Sequence, residues 1–226
     1  MGEIAGTSSI LIAAELLSTF SGGRGLLMGG IPGVKPTRVV IIGAGTVAEY
    51  AARSAVGLGA LVSVFDNSVA RLRRMQSDLN FPIATSIMQP KVLEKALTRA
   101  DVAIGALRAK EGRTPCVISD EMVQKMKPKS VIVDVSIDQG GCFETSELTT
   151  HESPTFIKHD VIHYGVPNIA SRVAKTASFS LSNILAPLLL EVGEGGGVKG
   201  MLLRSPNIRG GVYVYNGIIT NRGIGT

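Results

Sequence analysis

Short, uninterrupted apolar segments alternate with helical patterns along most of this chain, and that alternation restricts the fold more than any other feature. The apolar segments, rich in β-branched residues, lie at 38–42, 61–65, 102–106, 131–135 and 161–164, with a weaker one at 83–87. Between them, apolar side chains recur at the spacing of a helix at 46–58, 69–79, around 92–97 and at 122–126.

The apolar segments have the composition of strands that are buried on both faces. Such strands are typical of parallel sheets, in which each strand is followed by a helix that covers the sheet. Right-handed crossovers then wind the chain in both directions from the centre. We therefore predict an α/β fold, a Rossmann-type doubly wound parallel sheet with helices on both faces.

Long helices flank this alternating region. The first is predicted at 3–20 and leads into a glycine-rich loop at 21–33, and the second is predicted at 172–192. The part of the chain that follows the second helix is too short to form a core of its own. We predict a first domain at 1–172 and a second, smaller unit at 173–226.

Charge, hydropathy and cysteine content narrow the classes of function. The net charge is +5, but no basic run is present, so we expect no nucleic-acid partner. The apolar stretch at 3–20 is interrupted by polar residues and falls short of the ~20 apolar residues of a membrane span, so we expect no membrane segment. The cysteines, Cys116 and Cys142, form no CxxC motif and follow no secretory leader, which favours a reduced, cytoplasmic chain.

A glycine-rich turn joins the first predicted strand to the helix that follows it. Its sequence is Gly43-Ala44-Gly45-Thr46-Val47-Ala48. Gly43 would permit the tight turn, Gly45 would let the backbone approach a pyrophosphate, and Ala48 would let the helix pack closely on the strand. The start of the helix would offer free N–H groups and its positive dipole end to the phosphates. In this strand–helix context the motif predicts a dinucleotide site.

An acidic residue ends the second predicted strand. Asp66 lies 23 residues after Gly43, and a carboxylate there can accept hydrogen bonds from ribose hydroxyls. The same charge would repel a 2′-phosphate, which favours NAD over NADP. Two alternatives stay open: Asp66 caps the following helix, alone or in addition, and the nearby Arg71 allows NADP.

Another acidic residue follows the strand at 131–135. Asp138 precedes the glycine pair Gly140 and Gly141. Ligands of open α/β sheets bind beyond the carboxyl ends of the strands, so Asp138 is placed to meet a nicotinamide ribose or a substrate. The alternative is a carboxylate that only closes a turn, and position alone does not decide between the two.

Several short sequences resemble those of the alanine dehydrogenase and nicotinamide nucleotide transhydrogenase family. The resemblance covers nearly the whole chain. Its most specific part, at 137–144, is typical of the alanine dehydrogenases and not of the transhydrogenase branch. The matching sequences lie at 22–25, 29–34, 43–48, 137–144, 154–156 and 166–168.

The resemblance implies an enzyme that oxidises L-alanine, with NAD and water, to pyruvate and ammonia. It implies Asp138 as the catalytic acid and base beside the nicotinamide. It also implies contacts of Thr46 and Val47 with the pyrophosphate and of Asp66 with the adenosine ribose. The complete cofactor-binding set is Gly43, Gly45, Thr46, Val47, Ala48, Asp66, Arg71, Leu107, Arg108, Val135, Ser136, Ile137, Asp138, Val166, Pro167, Asn168 and Ile169.

The family's catalytic domain combines a stretch that precedes the dinucleotide domain with the C-terminal tail. That stretch holds the substrate-binding Arg and Lys and a catalytic His. The resemblance therefore implies that 173–226 is a remnant of the catalytic domain and that this chain alone does not turn over alanine. It also implies a homo-oligomer, and we expect the helices at 3–20 and 172–192 to expose apolar faces. The chain's three histidines are interpreted as structural or solvated and not as catalytic.

Three positions depart from the residues that are common in the family. Gly2 replaces a hydroxyl residue, Met88 replaces a small polar residue, and Glu147 stands where some members have Arg. Two other hypotheses stay open, a free-standing NAD-binding or interaction module without chemistry of its own and a transhydrogenase α-subunit domain. The first shares every residue named above, and the sequence at 137–144 argues against the second.

Overall fold

A seven-stranded sheet forms the centre of the computed structural model of this chain, which describes residues 1–79, 81–108 and 112–220. The strand order is β3-β2-β1-β4-β5-β7-β6, and every neighbouring pair is parallel except β7 with β6. The predicted doubly wound α/β fold is thus confirmed. The strands are β1 (Arg38–Ile42), β2 (Leu61–Phe65), β3 (Ala84–Ser86), β4 (Val102–Gly105), β5 (Val131–Asp134), β6 (Thr155–Lys158) and β7 (Val161–Tyr164).

Helices cover both faces of the sheet, because successive side chains of each strand point to opposite sides. Val39 and Ile41 of β1 belong to the core on one face, and Val40 and Ile42 belong to the core on the other. The first face is covered by α1 (Gly2–Leu16), α2 (Thr46–Gly57) and α3 (Val69–Asp78), and the second by α4 (Pro90–Arg99) and α5 (Asp120–Gln124).

The strand β6 was missed by the sequence analysis, which ended the sheet at 161–164. It pairs antiparallel with β7 and forms the edge of the sheet. The tight turn between the two strands places His159 and Asp160 in the left-handed region, at φ of 53° and 57°. Glycine and asparagine are the residues that usually mark such a turn, so Lys158-His159-Asp160 gave no hairpin signal.

The helix α1 packs inside the first unit of the fold, which corrects the expectation that 3–20 exposes a broad apolar face. The helix ends at Leu16, and Ile10, Ile12 and Ala13 are buried in the core. Gly6 lies against α2 so closely that a Cβ there would collide with the backbone of Val47 and Ala51. The sequence periodicity showed an apolar helix but not the element that would cover it.

Contacts between Cα atoms divide the chain into two compact units, Met1–Arg172 and Val173–Thr226. The end of the second unit, 221–226, lies outside the described residues. This unit contains helices and a short hairpin and no part of the large sheet. Its elements are α6 (Ala174–Glu194), α7 (Gly197–Arg204), α8 (Pro206–Gly210), β8 (Val214–Tyr215) and β9 (Ile218–Ile219).

The helix α6 is long, apolar and largely exposed. Among the described residues, Ile169–Glu194 is the one helical segment whose length and composition would allow it to cross a bilayer, a weak criterion that helices of soluble proteins also meet. Its exposed apolar side chains include Phe179, Ile184, Leu185, Leu189 and Leu190.

A buried histidine stabilises the edge of the sheet next to β6. His163 is 2% exposed and stacks on Phe156, with 4.8 Å between the ring centroids. Its Nδ1 lies 3.0 Å from the Val161 carbonyl oxygen, and its Nε2 lies 2.9 Å from Thr145 Oγ1. These partners suit a neutral ring that donates from Nδ1 and accepts at Nε2. Burial lowers the pKa of His163 below its ordinary value of 6.5.

The close contact between α1 and α2 can be tested by a substitution that adds one methyl group to α1. We expect Gly6→Ala to destabilise the chain by about 1–3 kcal/mol, because the added carbon has no space between the two helices. The matched control is Gly57→Ala in α2, where nothing lies within 4 Å of the added Cβ. This change should be neutral or stabilising. Urea unfolding measures both, and equal midpoints for the two variants would contradict the packing.

The buried histidine predicts a pH dependence of stability. The unfolded chain takes up a proton at His163 as the pH falls below 6.5, whereas the folded chain resists it. The free energy of unfolding should therefore fall as the pH decreases below 6.5 and lose this dependence in His163→Gln. Urea titrations from pH 8 downward measure it. An unchanged slope in the variant would contradict a neutral, buried ring.

Candidate functional site

The chain reverses the direction of its winding between β1 and β4, and the glycine-rich turn lies at that point. Gly43 has a φ of 113°, which strongly favours glycine, and a Cβ there would lie 2.5 Å from the Ala106 carbonyl oxygen. Gly45 is the N-cap residue of α2, and apart from its chain neighbours no atom of the described residues lies within 4 Å of the position that its Cβ would occupy. The first glycine closes the turn, and the second leaves an open surface above the start of α2.

The start of α2 is free to bind an anion. No side chain caps this helix, so the N–H groups of its first turn have no acceptor within the helix. Thr46 is exposed there, and Ala48 is wholly buried against the sheet. A side chain at position 2 would lie 3.5 Å from Val47 and 3.6 Å from Thr46, so Gly2 adjoins this helix end.

Asp66 is buried at the carboxyl end of β2 and holds the glycine-rich turn. Its Oδ2 accepts a hydrogen bond from the Ala44 N–H at 2.9 Å, and its Oδ1 accepts one from the Ser68 N–H at 2.7 Å. The Arg71 guanidinium lies 3.5 Å from Oδ2. The side chain that caps α3 is that of Ser68 and not that of Asp66. The capping alternative is therefore wrong in its simple form, since Asp66 lies two residues before the cap.

Asp138 joins two segments that the sequence analysis assigned to one site. It lies in a single 3-10 turn, Val135–Gln139, that follows β5 directly. Its Oδ1 accepts a hydrogen bond from the Asn168 N–H at 2.9 Å. Asn168 has a φ of 50°, a left-handed conformation that asparagine tolerates better than most residues. The loops after β5 and β7 are thus linked at the carboxylate of Asp138.

Two cavities adjoin Asp138. The first, of about 230 Å³, lies next to the start of α2 and the ends of β4 and β5. Its lining residues are Val47, Ala106, Leu107, Arg108, Val135, Ser136, Asp138 and Gln139.

The second cavity is larger, about 510 Å³, and more polar. Asp138, Arg113 and Ser146 are among the residues that line it. Arg113, Ser146 and Gln139 were missed by the sequence analysis. Arg113 and Ser146 lie in no recognised motif, and Gln139 lies within 137–144 but was assigned no role. Gln139 was adjacent to the predicted acid and could have been included on that ground.

The predicted cofactor residues fall into exposed and buried groups. Arg71, Arg108, Thr46, Asp138 and Asn168 are exposed at the carboxyl edge of the sheet. The side chains of Ala48, Ile137, Val166 and Ile169 are buried, so a ligand would meet their backbone and not their side chains.

The histidines lie outside both cavities, and they were expected to be structural or solvated. His151 contacts Ser171, His159 contacts Asp120 at 2.8 Å, and His163 is in the core. Among residues 1–79, 81–108 and 112–220, no group of three His, Cys, Asp or Glu side chains could hold a metal ion.

The sheet order and the glycine-rich turn are those of a Rossmann-type domain, and comparisons with known proteins identify the family. A family model described as "Alanine dehydrogenase/PNT, C-terminal domain" matches residues 9–222. The alanine dehydrogenase of Mycolicibacterium smegmatis is 44% identical over 196 residues, which is 87% of this chain and 53% of that protein. The chain belongs to the alanine dehydrogenase/PNT family.

Solved structures agree with this assignment. An L-alanine dehydrogenase matches 98% of this chain with a TM-score of 0.93 and 38% identity, over 61% of its own length. The transhydrogenase from Sinorhizobium meliloti matches 83% of this chain with a TM-score of 0.71 and 25% identity, over 53% of its own length. The chain therefore spans a little more than half the length of the relatives that it matches.

Proposed function

We propose that this chain is the NAD-binding portion of an alanine dehydrogenase, which converts L-alanine, NAD and water to pyruvate, ammonia and NADH. In this proposal, 1–172 is the NAD-binding domain with its leading helix, and 173–226 is a long helix and part of the catalytic domain. The family membership and the similarity to the alanine dehydrogenase structure support it.

The observation that carries the proposal is the position of Asp138 between two cavities of different character. One cavity adjoins the start of α2 and suits a dinucleotide. The other is polar and contains Arg113 and Ser146, which suits a small charged substrate. A carboxylate between them can act on a substrate that lies against the reactive ring of a cofactor.

The described residues fit NAD by their shape and chemistry. The start of α2 offers free N–H groups to the pyrophosphate, and Gly45 leaves room for close approach. The carboxylate oxygens of Asp66 each accept one backbone hydrogen bond, and a carboxylate oxygen can accept a further one from a ribose hydroxyl. When bound, NAD supplies the acceptor for the hydride that leaves the alanine Cα.

Asp138 would be the general base and general acid of this reaction, the group that accepts a proton and later donates it. Its Oδ1 is held by the Asn168 N–H, which fixes the carboxylate while the side chain stays exposed to both cavities. A carboxylate in that position can take up a proton from the substrate or from water and return it later. Positioning of the substrate contributes on the order of 7–11 kcal/mol in such reactions, and in the family it depends on groups in the preceding stretch.

The cellular compartment and the partners of the chain are also part of the proposal. Both cysteines are free thiols, which suits the reducing cytoplasm. The polar residues Ser178, Ser180, Ser182 and Asn183 interrupt α6, so we propose that its apolar side packs on protein and not on lipid. Exposed apolar surface of this kind usually marks an interface, and we propose a homo-oligomer without nucleic-acid or membrane partners.

A transhydrogenase function is the weaker candidate. The transhydrogenase structure matches less of the chain, with a TM-score of 0.71 against 0.93 and 25% identity against 38% for the alanine dehydrogenase. The described residues favour no further function.

The first test of the proposal is cofactor preference. We expect the chain to bind NADH at least about tenfold more tightly than NADPH, because Asp66 would repel a 2′-phosphate. Asp66→Asn should reduce that preference, and the control is Asp78→Asn, an exposed residue at the end of α3, the helix that follows Asp66. Titration calorimetry with both ligands measures it. Equal or tighter binding of NADPH to the unmodified chain would contradict Asp66 as the selector and point to Arg71.

The second test concerns chemistry. In a full-length relative, replacement of the aspartate that matches Asp138 by Asn should lower kcat by about 10²–10⁴-fold. The melting temperature should stay nearly unchanged, because the amide oxygen of Asn can still accept the bond from the Asn168 N–H. Glu144→Gln at the matching position is the control, since this carboxylate contacts the Asp120 N–H instead. A loss of stability with activity retained would favour a carboxylate that only closes the turn.

A further inference from the structure

A buried carboxylate lies at the carboxyl end of β5, directly before the turn that carries Asp138. Asp134 is 2% exposed. Its Oδ1 accepts a hydrogen bond from the Ser136 N–H at 2.9 Å, and its Oδ2 accepts one from the Cys142 N–H at 2.8 Å. The Ser146 hydroxyl donates a third bond to Oδ2 at 2.7 Å. One side chain thus binds the backbone at the start and after the end of the turn.

The residues that surround this carboxylate leave space for it and for no larger group. Gly141 has a φ of 76°, and a Cβ there would lie 2.8 Å from Asp134 Oδ2. A Cβ at Gly105 would collide with Oδ1 and would lie 2.7 Å from the Cys142 sulfur. Burial raises the pKa of the Cys142 thiol, so its sulfur faces the carboxylate as a neutral group. Two glycines and a thiol therefore leave room for the carboxylate and little else.

Hydrogen bonds from described residues hold the carboxylate. Within the described ranges, no lysine, arginine or histidine nitrogen lies within 4 Å of it. Burial of a charge without a cation is costly. The hydrogen bonds from the Ser136 N–H, the Cys142 N–H and the Ser146 hydroxyl offset that cost, so the carboxylate and the conformation of the loop depend on each other.

We propose that Asp134 is a positioning residue that sets the geometry of Asp138 and Ser136 toward the cofactor. The turn Val135–Gln139 contains both residues, and its position relative to β5 is set by the bonds to Asp134. The Ser136 hydroxyl in turn donates to the Leu107 carbonyl oxygen at 2.9 Å, which links the loop after β4. This role rests on the proposed function, because it concerns the nicotinamide end of the same site.

Asparagine is the informative replacement. It keeps the size of Asp134 but presents an NH2 group where one carboxylate oxygen accepts bonds. One side of the loop would then lose its acceptor, and the turn would move away from its present position. The matched control is Asp101→Asn, because Asp101 is also buried and also accepts several bonds, from Arg24, Arg38 and Lys127. Asp101 precedes β4 and therefore lies at the opposite edge of the sheet.

The experiment compares two ligands that differ only at the nicotinamide end. NADH and ADP-ribose share the adenosine, the pyrophosphate and the second ribose. The complete chain and its variants are titrated with both by calorimetry, and folding is checked by circular dichroism. We expect Asp134→Asn to weaken NADH binding by about tenfold or more while ADP-ribose binding changes less than about twofold. Asp101→Asn should destabilise the chain but leave both affinities unchanged.

The opposite results would overturn the proposal. If Asp134→Asn binds NADH as the unmodified chain does, or weakens both ligands equally, Asp134 has no positioning role. If that variant does not fold, Ser146→Ala decides, because it removes one donor to Asp134 and should show a smaller loss confined to NADH. Failure of the unmodified chain to bind either ligand would overturn the NAD proposal itself and this role with it.

Discussion

Buried aspartates that accept backbone hydrogen bonds determine the conformation of the loops at the carboxyl edge of this sheet. Asp66 directly follows β2 and Asp134 is the last residue of β5, two strands that β1 and β4 separate, and each aspartate is 2% exposed. Each carboxylate accepts bonds from two backbone N–H groups, those of Ala44 and Ser68 in the first case. Loop backbone lacks the partners that a sheet or helix provides, and a buried N–H without an acceptor is costly. A short acceptor at a strand end meets that requirement.

The same arrangement explains which parts of the fold could be predicted from the sequence. The strands were predicted because burial on both faces requires an uninterrupted apolar segment, as in Val39–Ile42. Most helices were predicted because burial on one face imposes a period on the sequence. The glycine-rich turn was predicted because its geometry excludes side chains. Asp134 was missed, because its partners are distant in sequence and its role leaves no period. It lay inside the predicted strand at 131–135, and no role was assigned to it.

The candidate site was also predicted only in part. The cavity beside α2 contains Val47, Leu107 and Ser136, all of which were expected from the family resemblance. Arg113 and Ser146 enter the second cavity through loop conformation, which one sequence does not specify. The helix α1 was likewise predicted as an element, but its packing was not. Its periodicity was visible, but only the three-dimensional arrangement shows that Gly6 lies on α2 and that the helix covers the core.

The two edges of the sheet restrict how copies of this chain can meet. One edge is β3, which has three residues, and the other is β6, which ends at Lys158 beside Asp120 and His159. Long, flat edge strands are templates for strand addition, and short or charged ones discourage it. Growth of the sheet by addition of another chain's strand is therefore disfavoured at both ends. In the homo-oligomer that we propose, copies would therefore meet through helices such as α6, whose apolar side chains are exposed, and not through the sheet.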